Sequence, residues 1–370
     1  MSQYDLCIVG AGLSGATIAR LAAEDGKKVL IIEKRDHIGG NVYDKIDDTT
    51  GIRISMYGAH IFHTNDTGVW NFVNRFGSWK RWDHHVVSDV SGSYISVPIN
   101  ITTVNSLFNE NLSTEEDMLR WLSKERTVCT IQNSEDSALS KVGSRLYETL
   151  LKPYTIKQWA KEPKDLDPSV LERIPLRTNF DTRYFTDKYQ AMPEHGYSSI
   201  VKSMLDHPNI TVTLNCPWSS KMEQFWKTLV FTGPIDTYFE DSGLPKLEYR
   251  SINFVWKKFY HPGLHQPTAV VNYPSLSTPY TRCVEYKHFL NQKSPWTIIA
   301  SEITCAEGEP YYPVPTQKNK DLYEKYRALA EASPSVHFVG RLASYKYFNM
   351  DQAIRNAMDY YATLRQSQDT

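Results

Sequence analysis

Residues Tyr4 to Asn41 read YDLCIVGAGLSGATIARLAAEDGKKVLIIEKRDHIGGN. Leu6, Cys7, Ile8 and Val9 form a short apolar run, the pattern of a strand buried on both faces. Gly10, Gly12 and Gly15 follow with the spacing G-x-G-x-x-G, and Ala16, Ile18, Ala19, Leu21 and Ala22 then recur at helical spacing. Val29 to Ile32 is a second apolar run and ends in Glu33. The three glycines have distinct roles. Gly10 permits the tight turn, Gly12 lets the backbone approach a pyrophosphate, and Gly15 lets helix and strand pack closely. The pattern predicts a dinucleotide-binding unit. The pyrophosphate lies on the helix N-terminus beside Leu13 and Ser14, the Glu33 carboxylate takes a ribose hydroxyl, and Lys34 follows it. A glycine-rich turn without a ligand would leave Glu33 unexplained.

The residues after this strand, Arg35-Asp36-His37-Ile38-Gly39-Gly40-Asn41, carry a second glycine pair. NAD-binding units have no general need of one. Here the chain resembles the FAD-binding oxidoreductase-like family, in which such a diglycine segment brings extra backbone amides to the FAD diphosphate and ribityl chain. The resemblance implies FAD, with Gly39, Gly40 and Asn41 among its contacts.

The 370 residues are enough for two or three compact units. Lys plus Arg is 41 and Asp plus Glu is 42, a formal charge of -1 that gives no bulk attraction to nucleic acid or anionic membrane. Phosphate affinity must then come from local arginines. No apolar run approaches the roughly 20 residues of a spanning helix, and the chain enters a strand at once, so neither membrane insertion nor a signal peptide is expected. Cys7, Cys129, Cys216, Cys283 and Cys305 are scattered and odd in number. They suggest reduced thiols in a cytoplasm, with no metal site.

The pattern along the chain predicts an α/β protein with a discontinuous dinucleotide fold. Val86 to Pro98 reads as a hairpin around Ser91-Gly92. Thr102 to Trp159 turns helical, with an N-terminal signal at Ser113-Thr114-Glu115-Glu116, a helix from Val142 to Leu151, and Pro153 ending it or opening a turn. Lys161 to Pro175, rich in Pro, Asp, Lys and Glu, reads as a mobile surface loop. Aromatic and β-branched runs at Ser251–Tyr260, Thr268–Asn272, Arg282–Tyr286 and Thr297–Ile303 suit a mainly antiparallel sheet. Asp321 to Ala332 is a helix, and a last strand, Val336–Val339, and helix, Met350–Leu364, return to the first unit. The expected division is a Rossmann-like FAD domain at 1–78, 195–244 and 312–370. A helical bundle at 101–173 carries the loop near 161–175, and an antiparallel sheet domain takes 79–100, 174–194 and 245–311.

Four further blocks point to one family: Tyr57-Gly58-Ala59-His60-Ile61-Phe62-His63-Thr64, Pro153-Tyr154-Thr155-Ile156-Lys157-Gln158-Trp159, Pro279-Tyr280-Thr281-Arg282, and Phe338-Val339-Gly340-Arg341 continuing to Tyr347-Phe348-Asn349-Met350-Asp351. With the N-terminal unit they resemble the bacterial UDP-galactopyranose mutase family over almost the whole chain. The resemblance implies interconversion of UDP-galactopyranose and UDP-galactofuranose with no net redox change, feeding cell-surface polysaccharide synthesis. The flavin must be reduced, because its N5 attacks the anomeric carbon and displaces UDP through a covalent N5-flavin-sugar adduct.

By position, the resemblance implies that His60 and Ile61 lie against the flavin and that His63 supports its reduced ring. Arg173 and Arg282 close on the diphosphate by bidentate hydrogen bonding. Tyr154 and Trp159 line the uridine site, and Tyr184, Tyr312 and Tyr347 contact the diphosphate. Arg341, Met350 and Asp351 meet the ribityl chain.

The chain departs from the common pattern at Ala59, where proline is frequent, at His84, where asparagine is, and at Asn349, where aspartate is. These positions surround the sugar. Leu150-Leu151 stands where two phenylalanines often wall the base. The same reaction on UDP-N-acetylgalactosamine or dTDP-fucose is therefore an alternative. An FAD amine oxidase or desaturase shares the N-terminal unit but leaves the diphosphate residues without a use. A homodimer is one option that the residues alone do not decide.

Overall fold

A computed structural model describes residues 3–222 and 225–368. Its centre is a five-stranded sheet in the order Ile210–Thr213, Val29–Ile32, Tyr4–Val9, Trp226–Phe231, Val336–Phe338, every neighbouring pair parallel. The first strand lies in the middle and is covered on both faces, which is why Cys7 and Ile8 are fully buried. Helix Leu13–Glu24 buries Ala16, Ile18, Ala19 and Ala22 and packs beside the long final helix Met350–Gln368. This is a Rossmann-like fold whose last strand and helix come from the end of the chain.

A seven-stranded sheet runs Tyr312–Pro313, Tyr249–Tyr260, Trp296–Cys305, Arg282–Glu285, Val270–Asn272, Val86–Val90, Ser93–Val97. All its pairs are antiparallel except Val270–Asn272 with Val86–Val90. Its register sets Arg282 directly opposite Glu302. A smaller sheet pairs Phe62–Thr64 and Trp79–Arg81 with the two sides of Tyr189–Pro193.

The helical unit packs Ile101–Phe108, Glu115–Glu125, Ser134–Leu146 and Lys152–Trp159 around Met118, Leu122, Val142, Leu146 and Trp159. Asn100 and Thr114 each close a capping box, the latter with Asp117.

Several details differ from the sequence expectation. The helix expected over Val142–Leu151 is a helix ending at Leu146 followed by a π turn, Tyr147–Leu151. Pro153 neither ends a helix nor opens a turn. It sits in the first turn of Lys152–Trp159, directly after the π turn, whose last residue Leu151 keeps helical backbone angles. The segment expected as a loop at 161–175 contains a 3-10 turn, Pro163–Asp165, and a short helix, Ser169–Glu172. Leu166, Val170 and Leu171 drive this folding by burying into the helical core. The helix expected from Asp321 starts at Gln317, because the Thr316 hydroxyl caps it. Among the described residues no helix is long and apolar enough to cross a membrane.

Candidate active site

One cleft of about 940 Å³ runs between the dinucleotide sheet, the helical unit and the antiparallel sheet. Its floor begins at the turn after the first strand. A side chain on Gly10, at φ +107°, would meet Thr232 Oγ1 at 2.3 Å, and one on Gly15 would meet the Gly10 carbonyl oxygen at 2.0 Å. A Cβ on Gly12 would find only Gly40 Cα, at 3.8 Å. Gly15 is therefore glycine for the protein's own packing, whereas Gly12 faces the cleft. The diglycine segment closes on the same turn: Gly39 N donates to the Ala11 carbonyl at 2.9 Å, and Gly40 backs onto Gly12. Glu33 accepts from Ala11 N at 2.8 Å and Arg35 N at 3.0 Å, leaving carboxylate lone pairs for a hydroxyl. Arg341 Nε and Nη2 and Asp351 Oδ1 are buried without a partner among the described residues. Buried polar atoms are rarely left so. An open approach at Gly12, a free acid and unpaired buried donors fit a bound dinucleotide.

Two histidines continue the floor. His60 Nδ1–H donates to the Gly58 carbonyl at 2.8 Å, which leaves Nε2 an acceptor. Burial, helped by Arg341, lowers its pKa to about 4, so the ring is neutral. His63 Nδ1 pairs with Asp187 Oδ2 at 3.0 Å, and the ring stacks on Phe185 at 3.7 Å. The carboxylate accepts from Nδ1–H and so turns Nε2 away from itself. His84 is oriented the other way. Trp82 Nε1–H donates to its Nδ1 at 3.4 Å, so the proton sits on Nε2; burial, aided by Arg282, holds the ring neutral with a pKa of about 3. His84 thus offers a donor to the cleft where asparagine would also offer one.

Above the histidines stands a cationic, aromatic wall. Arg173 lies 4.0 Å and Arg341 4.4 Å from the Tyr347 ring centroid, and Tyr312 stacks on Tyr347 at 5.7 Å. Arg282 Nε donates to Glu302 Oε2 at 2.7 Å, leaving its terminal nitrogens for the cleft. Tyr154, Trp159 and Tyr184 complete the wall. The far end is apolar, formed by Val97, Ile99, Leu150, Leu151, Val170 and Leu171. The π turn delivers both leucines to it.

The cleft gathers His60, Ile61, His63, His84, Tyr154, Trp159, Arg173, Tyr184, Arg282, Tyr312, Arg341, Tyr347, Asn349 and Met350. Gly10, Gly12, Leu13, Ser14, Glu33, Lys34, Gly39, Gly40 and Asn41 line it as well. Gly15 and Asp351 are not among its walls. The reading of the sequence missed Phe185, Asp187 and Glu302. Asp187 lies three residues past Tyr184, but only the pairing of two short strands brings it to His63. Glu302 meets Arg282 through strand register, which an irregular intervening turn hides.

The arginines perturb Tyr347. Burial would raise its pKa, but Arg173, Arg341 and Arg282 outweigh it and hold it down to about 8. Above that pH the phenolate partly neutralises the arginines and repels a diphosphate. The affinity of the cleft for a diphosphate anion should therefore fall up to about tenfold per unit above pH 8. Tyr347→Phe should remove the break, and a pH-independent affinity in the parent protein would contradict it.

A family model described as UDP-galactopyranose mutase matches residues 149–347, and one described as an NAD(P)-binding Rossmann-like domain matches residues 8–76. A probable UDP-galactopyranose mutase of Klebsiella pneumoniae is 40% identical over 369 residues, covering 97% of this chain and 94% of its own. A dTDP-fucopyranose mutase of Escherichia coli is 38% identical over 368 residues, with coverage of 95% and 96%. A crystal structure of reduced UDP-galactopyranose mutase, at 16% identity, matches with a TM-score of 0.77 over 99% of this chain and 94% of that one, a likeness of fold.

Proposed function

The chain belongs to the UDP-galactopyranose mutase family, and on that premise we propose that it interconverts the pyranose and furanose forms of a nucleotide-linked hexose, with UDP-galactose as substrate and reduced FAD as cofactor. The observation that carries the reading is the Arg173, Arg282, Arg341 and Tyr347 group, set over the histidines of a dinucleotide cleft. An amine oxidase would have no use for three arginines at that place.

Gly12, Glu33, Gly39, Gly40, Asn41 and Arg341 would hold the FAD. Bound and reduced, the flavin supplies the nucleophile that lets the sugar leave its diphosphate without net oxidation. The chain does the rest. Arg173 and Arg282 neutralise the diphosphate as it departs and hold it for return. Tyr184, Tyr312 and Tyr347 offer hydroxyls to the same oxygens. His60 presents a neutral Nε2 acceptor to the flavin edge, and Asp187 fixes the orientation of the His63 ring beside it. His84 presents an Nε2–H to the sugar. Such an activity suits a cytoplasmic enzyme supplying polysaccharide precursors.

A second reading, a dTDP-linked 6-deoxyhexose such as dTDP-fucose, is favoured by Leu150 and Leu151. Both line the apolar end of the cleft where bulkier rings would fill the space beside a pyrimidine C5. A thymine methyl buried there is worth about 0.8 kcal/mol. The test is competition between UDP-galactofuranose and dTDP-fucofuranose at equal concentration with dithionite-reduced protein. UDP-galactofuranose should be converted faster, and air should abolish both reactions. A dTDP sugar converted more than about tenfold faster, near 1.4 kcal/mol, would overturn the sugar assignment. Equal turnover in air would overturn the mutase reading.

A further inference from the structure

A lysine ammonium carries three N–H donors and no acceptor, so a lysine turned inward needs a set of oxygens. Lys157 lies in helix Lys152–Trp159 and turns its Nζ to four backbone carbonyls. These are Tyr273, Ser275 at 2.9 Å, Thr278 at 3.0 Å and Tyr280 at 2.8 Å. All four belong to the connection between strands Val270–Asn272 and Arg282–Glu285. That segment, YPSLSTPYT, has no regular structure of its own and runs straight into Arg282. Four carbonyl dipoles aimed at one point repel each other unless a cation sits there. Thr304 Oγ1 donates to the Lys157 carbonyl at 2.5 Å, so the lysine itself is tied to the adjoining strand.

The second diphosphate arginine has the same arrangement. Lys141, on helix Ser134–Leu146, donates to the Glu172 carbonyl at 2.5 Å and to the Ile174 carbonyl at 2.6 Å. Those are the residues on either side of Arg173. Arg126 Nε in turn donates to the Lys141 carbonyl at 2.7 Å. A third lysine, Lys287, gathers the carbonyls of His261, Pro262 and Gly263 at 2.8 to 3.0 Å, but that turn contributes nothing to the cleft.

We infer that Lys141 and Lys157 are positioning residues for Arg173 and Arg282: each ammonium gathers the carbonyls of the backbone that carries one arginine and so presets that arginine for the diphosphate. The inference rests on the assignment of both arginines to the diphosphate. The helical unit supplies both lysines, so it holds both arms of the anion clamp although only Arg173 belongs to its own stretch of chain. Neither lysine is itself a wall of the cleft. The effect is preorganisation, which lowers the ordering cost of binding.

The test is titration of UDP into the oxidised, flavin-loaded protein. Lys141→Met and Lys157→Met should each raise the UDP Kd tenfold or more while flavin content stays at the parent value. Lys287→Met should lower Tm yet leave the Kd within twofold. In an Arg173→Ala background the Lys141→Met effect should vanish and the Lys157→Met effect should persist in full, because coupling is confined to residues acting together. Lys157→Ala, which empties the carbonyl cage, should regain UDP affinity on addition of ammonium ions, whereas the parent protein should not respond. Should a Met variant fail to fold, the Gln variant, which is shorter and lacks the positive charge that holds the carbonyls together, carries the same comparison with the same expected rise in Kd. Unchanged Kd values, a Lys141→Met effect that stays additive with Arg173→Ala, or an effect of Lys287→Met equal to the other two would overturn the inference. A parent protein that binds no UDP, or binds it as tightly after Arg173→Ala, would instead overturn the diphosphate assignment beneath it.

Discussion

Gly12→Val should give a folded protein without flavin and without mutase activity, and Gly15→Val should give no folded protein. The two glycines belong to one motif but face different neighbours. Gly12 has φ −79° and ψ −174°, backbone that any residue adopts, and its Cβ would meet only Gly40 Cα at 3.8 Å. The chain alone therefore tolerates a side chain there. On the proposed function, what excludes one is the cofactor, whose pyrophosphate would lie against the first amides of helix Leu13–Glu24. Forcing an isopropyl group into that contact costs typically 1–3 kcal/mol or more, and the lost amide hydrogen bonds add to it. Flavin affinity should fall at least about a hundredfold, near 2.7 kcal/mol. At Gly15 the Cβ would stand 2.0 Å from the carbonyl oxygen of Gly10, in the turn after the central strand, and 3.2 Å from Ile8, which is fully buried within that strand. Absorbance of the purified proteins at the flavin band, with circular dichroism for the fold, reads both results. A yellow Gly12→Val protein would refute the cofactor site, and a well-folded Gly15→Val protein would refute its packing role.

This contrast shows how the sequence was legible and where it was not. The N-terminal unit could be read because each of its features is local. A tight turn, a helix start and an acid at a strand end fall within about 30 residues of one another, as a βαβ unit requires. The return of the chain at Val336–Phe338, a half-buried edge strand, was legible because a short β-branched and aromatic run ends directly at Gly340-Arg341. Local reasoning failed where partners meet through register. His63 and Asp187 are joined through the pairing of Phe62–Thr64 with Tyr189–Pro193, strands too short to show a clear periodicity. Arg282 and Glu302 are joined by the register of two neighbouring strands. Lys157 stood out only as part of a motif, since its partners are carbonyls more than a hundred residues away and carry no side-chain signal. Pro153 misled because proline both ends helices and begins them, and only the π turn before it decides which. The segment 161–175 misled because its charge hides three apolar residues that fold it onto the helical core.

Arg282→Ala should lose more than Arg173→Ala, and for a reason that binding alone does not supply. Both arginines face the cleft, and removal of either forfeits a charge-assisted contact worth about 1.5–3 kcal/mol, or roughly ten- to 150-fold in kcat/KM. Arg173 is otherwise stacked on Tyr347 at the end of a short helix, so its loss should leave flavin content and Tm close to the parent values. Arg282 also pairs with Glu302, whose side chain is 2% exposed and whose Oε1 has no partner among the described residues. Truncating one member of a buried pair leaves the other charged and unpaired, at a cost of about 3–5 kcal/mol. Arg282→Ala should therefore lower Tm by roughly 4–6 °C in addition to losing at least about a hundredfold in kcat/KM. The two losses are separable. In Arg282→Ala with Glu302→Gln no buried charge is stranded, so most of the Tm should return while kcat/KM stays low. If the double variant recovered activity along with Tm, Arg282 would serve the sheet and not the diphosphate. If Arg282→Ala melted with the parent, the buried carboxylate would be protonated or solvated, and the cross-strand pair would not be what holds Arg282 in place.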